Sequence, residues 1–112
     1  RKPRSLSQNA YLHLVIGWFA IEYGHTIDYC KKELYKKTCN ADLFVFLRTN
    51  KKTGEQRNYL RSSKELTTDQ MTTSIERFRN WSAKQGIYLP APNEEDFLEA
   101  IRIEVERNKQ YL

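Results

Sequence analysis

The sequence has few of the residues that build disulfide frameworks or metal sites. It contains 2 cysteines, 2 histidines, 4 glycines and 3 prolines among 112 residues. Two cysteines are too few for the disulfide network of a small secreted protein, so we expect a reducing, intracellular location. The two histidines have no cysteine at the spacing of zinc ligands. The sequence therefore predicts no metal site and no cofactor.

A membrane span is not expected either. The longest apolar-rich stretch runs from Ala10 to Tyr23, and His13 and Glu22 interrupt it. A transmembrane helix needs about 20 predominantly apolar residues, which this stretch does not reach. We therefore predict a protein with no membrane partner.

Catalytic motifs are also missing. The sequence has no glycine-rich phosphate loop, no Gly-x-Ser-x-Gly elbow and no dinucleotide fingerprint. Asp42 and Glu55 are the only candidates for a magnesium-dependent nuclease, and such a site needs several convergent carboxylates. We predict that the protein is not an enzyme, and a small metal-dependent nuclease is the least favoured alternative.

Two helices are predicted in the first third of the chain. The first starts at a serine cap, Ser5 or Ser7, and ends at Gly24, and the second runs from Thr26 to about Lys37. In the second helix, α-helical periodicity places one apolar set inward: Ile27, Cys30 and Leu34. The same periodicity places the remaining large or charged side chains outward or sideways: Tyr29, Lys31, Lys32, Tyr35 and Lys36.

The first helix is apolar on nearly every side. A surface helix shows a single apolar stripe, so a helix of this kind must be covered from several directions. The rest of so small a chain offers little to cover it. We therefore predict a homodimer whose interface includes one side of this helix, formed by Tyr11, Leu14, Trp18 and Ile21.

A β-hairpin follows over residues 42–61. Leu43 to Leu47 is a short apolar run that suits a strand, and residues 50–54 supply turn chemistry. Residues 56–61 then form the returning strand.

Two further helices complete the chain. Thr67 and Gln70 have the spacing of a capping box for the third helix, which ends near Gly86. Pro90 and Pro92 make the next segment an extended connector, and Asn93 is expected to cap the last helix. The order αα-ββ-αα predicts an α+β fold in one domain, residues 1–112, with about four helices and a central hairpin.

Positive charge is concentrated in the first part of the sequence. Residues 1–64 contain 13 basic and 5 acidic side chains, a net charge of +8, whereas residues 65–112 contain 6 basic and 9 acidic ones, a net charge of −3. Together they give the overall charge of +5. Cations that meet phosphates release counterions and so supply affinity for nucleic acid of any sequence.

Aromatic residues lie among these cations, a combination typical of proteins that bind single strands. We predict that Tyr59 stacks on bases. The predicted phosphate contacts belong to a basic arm at residues 1–6, the second helix and the hairpin: Arg1, Lys2, Arg4, Lys32, Lys36, Lys51, Lys52, Arg57 and Arg61.

Several short segments resemble one family. Arg4 to His13, with its Gln-Asn pair, looks like the first helix of the phage recombination proteins called NinB or lambda Orf. Residues 62–71 are similar to that family's approach to a later helix. The stretches 79–81, 86–90 and 92–94 are also reminiscent of phage and prophage relatives.

The resemblance implies an α+β homodimer that binds single-stranded DNA without sequence preference. It implies a mediator that helps load a recombinase onto strands coated with single-stranded-DNA-binding protein, in the cytoplasm of a bacterial host. The sequence departs from the family in its short central region and in its acidic last helix. The alternative to DNA binding is a protein-interaction module whose basic surface binds an acidic tail, such as that of single-stranded-DNA-binding protein.

Overall fold

The computed structural model describes residues 7–109. Helices and one two-stranded antiparallel sheet are present together, which confirms an α+β class. In chain order the elements are α1 (Gln8–Tyr23), α2 (Ile27–Tyr29), a π-helical segment (Cys30–Cys39), α3 (Ala41–Phe44), β1 (Val45–Thr49), β2 (Gln56–Leu60), a 3-10 turn (Ser63–Glu65), α4 (Thr68–Lys84) and α5 (Glu95–Lys109). The predicted basic arm, residues 1–6, lies outside the described residues.

Helix α1 is the central element of the core. Ser7 caps it by accepting a hydrogen bond from the Ala10 amide at 3.1 Å, and Gly24 ends it in the left-handed conformation. A Cβ atom at Gly17 would lie 3.1 Å from Val105 Cγ2, so this glycine lets α5 approach α1 closely. The buried side chains of α1 face the π-helical segment, α4 and α5. None of the helices within residues 7–109 combines the length and apolarity needed to cross a membrane.

The predicted second helix is π-helical for most of its length. It starts where predicted, since Thr26 caps α2 by accepting from the Tyr29 amide at 3.1 Å, and Cys30 and Leu34 are buried. Tyr35 and Lys36, predicted to face outward or sideways, are buried as well. A π-helix closes its hydrogen bonds at i→i+5, so its wider turn brings other residues to the inner face than an α-helix would.

The hairpin is shorter than predicted. Leu43 and Phe44 belong to α3, because their amides donate to the Asn40 carbonyl at 3.0 and 3.1 Å and close a helical turn. The first strand therefore begins at Val45, and the paired region spans residues 45–60.

A buried polar network holds the π-helical segment against α4. The Tyr35 hydroxyl and Ser74 Oγ are 2.6 Å apart, and the side-chain Nδ2 of Asn40 donates to the carbonyls of Tyr35 and Ser74 at 3.0 and 3.1 Å. Because Asn40 also begins α3, this network fixes the point at which the chain enters the hairpin.

The last two helices have different starts. Thr67 and Gln70 form the predicted capping box, with each side chain accepting from the other residue's amide, at 3.2 and 3.0 Å. Asn93, the predicted cap of the last helix, lies in the turn before it, and α5 begins at Glu95. Glu94 instead joins the connector to α5, because its carboxylate accepts from the Tyr88 hydroxyl at 2.6 Å.

Candidate nucleic-acid interface

The hairpin projects from the helical core. Every residue from Phe46 to Tyr59 is exposed, and only the ends, Val45 and Leu60, are half-buried. An isolated two-stranded hairpin is marginally stable in water, so its attachment to α3 and the π-helical segment matters for its order. Both of its faces are open to a partner.

The turn at the hairpin tip is specified by its sequence. Asn50 Oδ1 accepts from the Lys52 amide at 3.0 Å, and the Asn50 carbonyl accepts from the Gly54 amide at 2.8 Å. Gly54 has φ +72°, a conformation that side chains rarely adopt. The turn leaves Lys51 and Lys52 exposed at the tip.

The register puts cations and rings on the same side of the hairpin. Phe46 pairs with Tyr59, Arg48 pairs with Arg57, and the Arg61 amide continues the ladder to the Phe44 carbonyl at 2.8 Å. Residues that pair directly share a face of the sheet. We call this side the arginine–aromatic face, and it consists of Phe46, Arg48, Arg57, Tyr59 and Arg61.

Two guanidinium groups lie over the exposed rings of this face. Arg48 Cζ is 4.5 Å from the centre of the Tyr59 ring, and Arg61 Cζ is 5.5 Å from the centre of the Phe46 ring. Phe46 is 41% exposed and Tyr59 is 36% exposed. Cation–π contacts of this kind orient the guanidinium beside a ring on which a base can stack.

The cations of the hairpin are little neutralised by carboxylates. Within residues 7–109, Arg48, Lys51 and Lys52 have no carboxylate oxygen within 4.0 Å. Arg57 is 3.6 Å from Glu55, but its side chain is 80% exposed, where an ion pair contributes little. The positive charge of the hairpin is therefore available to a negatively charged partner.

Lys36, a predicted phosphate contact, is buried in the protein. Its side chain is 8% exposed, and its ammonium donates to the Arg61 carbonyl at 2.8 Å and lies over the Phe44 ring. Burial, together with the charges of Lys31 and Lys32, lowers the pKa of Lys36. Its role is to join the π-helical segment to the base of the hairpin.

The other predicted nucleic-acid contacts divide into three groups. Lys51, Lys52, Arg57, Tyr59 and Arg61 all lie on the hairpin. Lys32 is exposed on the π-helical segment and lies 3.3 Å from Asp28. The three cations of the arm lie outside the described residues: Arg1, Lys2 and Arg4.

Sequence reasoning missed Phe46 and Arg48 as members of the site. It treated Phe46 as part of an apolar strand and did not single out Arg48. The sequence signal that could have identified them is the two-residue alternation on both strands. Phe46 and Arg48 are two residues apart, as are Arg57, Tyr59 and Arg61, so each set lies on one face of its strand.

The predicted dimer residues of α1 differ in exposure. Tyr11 is 3% exposed and its hydroxyl donates to the Pro90 carbonyl, so most of its side chain belongs to the core of the monomer. Leu14, Trp18 and Ile21 are half-buried. Trp18 also packs edge-on against Phe97, with ring centres 6.4 Å apart.

The carboxylate and the thiols that the sequence analysis considered lie in the following surroundings. No group of three metal-ligating side chains occurs among the described residues, and the Asp42 carboxylate accepts from Arg77 at 2.7 Å. Burial raises the pKa of both Cys30 and Cys39 to about 11, so these thiols are protonated at neutral pH.

Comparison of the chain with protein-family models, with curated protein sequences and with solved structures finds no match.

Proposed function

We propose that this protein is a non-enzymatic single-stranded nucleic-acid-binding protein that uses the arginine–aromatic face of its hairpin. The observation that carries the proposal is the pairing of Arg48 with the exposed Tyr59 ring and of Arg61 with the exposed Phe46 ring. Single strands are bound by cationic surfaces whose rings stack on bases of any identity. Lys51 and Lys52 extend the positive surface to the hairpin tip.

The biological setting of the proposal rests on the resemblance to the NinB proteins. In this setting the ligand is single-stranded DNA, and the protein assists phage or prophage recombination in the cytoplasm of a bacterial host. A single-stranded-DNA-binding protein or a recombinase is then the expected protein partner. The half-buried residues Trp18 and Ile21 support a homodimer, which the mass in solution measures.

The experiment is a fluorescence-anisotropy titration of a labelled 12-nucleotide deoxythymidine strand at several salt concentrations. Affinity is expected to fall with rising salt, because each phosphate contact contributes about −0.7 to the log–log slope for single strands. Tyr59→Ala removes a stacking surface and should weaken binding about tenfold. Tyr59→Phe retains the ring and should bind nearly as the parent does.

Leu47→Ala is the matched control. Leu47 lies on the same hairpin, pairs with Asn58 on the opposite face and is 69% exposed. Its loss should leave affinity unchanged within about twofold. Equal weakening by Tyr59→Ala and Leu47→Ala, or an affinity that does not depend on salt, would refute the proposal.

Leu47 also supports the alternative function, a module that binds an acidic protein tail. An exposed leucine beside a cationic face suits a peptide that carries both carboxylates and apolar side chains. If an acidic tail peptide binds the hairpin and the oligonucleotide neither binds nor competes, the alternative replaces nucleic-acid binding.

A further inference from the structure

A groove of about 560 Å³ lies on another part of the molecule, where α1, α4 and α5 meet. Its lining is predominantly apolar. Tyr11 and Leu14 of α1 form its floor, Ile75 contributes from α4, and Leu98 contributes from α5. Cavities of this size accept a few apolar anchor side chains of a partner.

The two walls of the groove are helix faces of equal length. The α4 wall runs from Thr72 to Arg79, and the α5 wall runs from Glu95 to Arg102. Seven residues of α-helix rise about 10 Å, so each wall presents about two helical turns. A further helix laid between α4 and α5 would cover the floor formed by α1.

The rim of the groove carries unpaired negative charge. Of its two cations, Arg102 is paired with Glu99 at 2.6 Å, whereas Arg79 donates to the neutral Leu89 carbonyl at 3.3 Å and keeps its charge. Four carboxylates and two arginines give the rim a net charge of −2. In the described part of the chain, three rim carboxylates form no ion pair: Glu76, Glu95 and Asp96. The groove thus complements an occupant that is apolar on one side and basic on its flanks.

We propose that this groove binds a basic amphipathic helix of another protein. Two turns of such a helix place apolar residues at i, i+3 or i+4, and i+7 on the floor, which is the usual mode of helix-in-groove recognition. Its flanking lysines or arginines meet Glu76 on one wall and Glu95 and Asp96 on the other. The same carboxylates repel a nucleic-acid strand, so this surface is distinct from the arginine–aromatic face.

The test uses a fluorescein-labelled 14-residue synthetic helix with leucines at i, i+4, i+7 and i+11 and lysines at its other positions. It is expected to bind the full chain, whereas the same peptide with every lysine replaced by glutamate is not. The variant Glu76→Gln/Glu95→Gln/Asp96→Asn should weaken binding about tenfold, because it removes three rim charges. Leu14→Ala should weaken it as well, by removing apolar floor.

The matched control, Glu22→Gln/Glu55→Gln/Asp69→Asn, removes the same charge from exposed sites outside the groove and should bind the lysine peptide as the parent does. Equal weakening by both triple variants would overturn the proposal, because it would show only attraction to net charge. Binding that appears only after removal of residues 1–6 would also overturn it, in favour of an occupant from this chain. A concentration-dependent dimer abolished by the rim variant would overturn it in favour of a second copy.

This proposal and the nucleic-acid proposal fail separately. The rim variant should leave affinity for the deoxythymidine strand unchanged or slightly raised, and Tyr59→Ala should leave affinity for the lysine peptide unchanged. Loss of peptide binding therefore does not imply loss of strand binding, and loss of strand binding does not imply loss of peptide binding.

Discussion

The hairpin and the last helix use arginine in different ways. On the hairpin, Arg48 and Arg61 lie over exposed aromatic rings. On α5, Arg102 and Arg107 are paired with glutamates one helical turn away, at 2.6 and 3.1 Å. The asymmetry in charge along the sequence is therefore also an asymmetry in pairing, since both arginines of α5 are paired with glutamates whereas Arg48 has no carboxylate oxygen within 4.0 Å among the described residues.

The largest expected effect follows from removing the hairpin cations. Arg48→Gln/Arg57→Gln/Arg61→Gln should weaken binding of the deoxythymidine strand about 100-fold at 0.1 M salt, because each lost phosphate contact removes about 0.7 from the salt slope. The measurement is the affinity and its salt slope, which should flatten by about 2.

The control variant removes the same number of positive charges from a different part of the molecule. Arg77→Gln/Arg102→Gln/Arg107→Gln removes three arginines that are paired with carboxylates. It should change affinity by less than about threefold, since exposed ion pairs contribute little and their cations are not available to a strand. If both triple variants lose affinity alike, the difference between the two regions has no functional meaning.

A smaller effect is expected at the contact between α1 and α5. Gly17→Leu places a side chain where even a Cβ would lie 3.1 Å from Val105 Cγ2, so it should lower the free energy of unfolding by about 1–3 kcal/mol. Urea unfolding measures the loss. Ala100→Leu, on the exposed face of α5, adds bulk without overpacking and should unfold as the parent does.

This variant also separates the two surfaces. Since the hairpin does not depend on the α1–α5 contact, folded Gly17→Leu protein should still bind the deoxythymidine strand. A matching loss of strand binding would mean that α5 takes part in the nucleic-acid interface.

The smallest effect is expected for Lys36→Met. The ammonium of Lys36 is buried against the Arg61 carbonyl, so its loss should weaken strand binding by less than about threefold. Lys52→Met, at the exposed tip, should weaken it about fivefold. If Lys36→Met weakened strand binding more than Lys52→Met, Lys36 would have to be part of the nucleic-acid interface.

Lys36 also predicts a pH dependence of stability. Its pKa is lowered in the folded protein, so between that lowered pKa and the ordinary value of 10.5 the unfolded chain binds more protons at this site. The stability of the parent relative to Lys36→Met should therefore rise with pH in that window. Urea unfolding of both proteins at pH 8 and pH 10.5 measures the difference, and a relative loss of stability would contradict it.

Local signals in the sequence predicted much of the fold. Ser7, Thr26 and the Thr67–Gln70 capping box act through bonds to neighbouring amides, and Gly24 acts through its left-handed backbone conformation. These signals can be read without knowledge of tertiary contacts. The π-helical segment could not be predicted in this way. α-Helical periodicity assigned Tyr35 and Lys36 to the wrong face, because their burial depends on the wider turn and on packing against α4.

The candidate site was predicted in part for a related reason. Composition identified the basic hairpin, and Tyr59 stood out as its aromatic residue. The partnership of Phe46 with Arg61 depends on strand register, which is set by the turn and by where β1 begins. Because Leu43 and Phe44 are helical, the start of that strand was not visible in the apolar run.

The most direct measurement is a titration of ¹⁵N-labelled protein with the deoxythymidine strand, followed by amide chemical shifts. If the strand binds the arginine–aromatic face, the largest shifts occur at Phe46, Arg48, Tyr59 and Arg61, with little change along α5. Shifts centred on α5, or shifts no larger on the arginine–aromatic face than at Leu47 and Asn58, would contradict binding at this face.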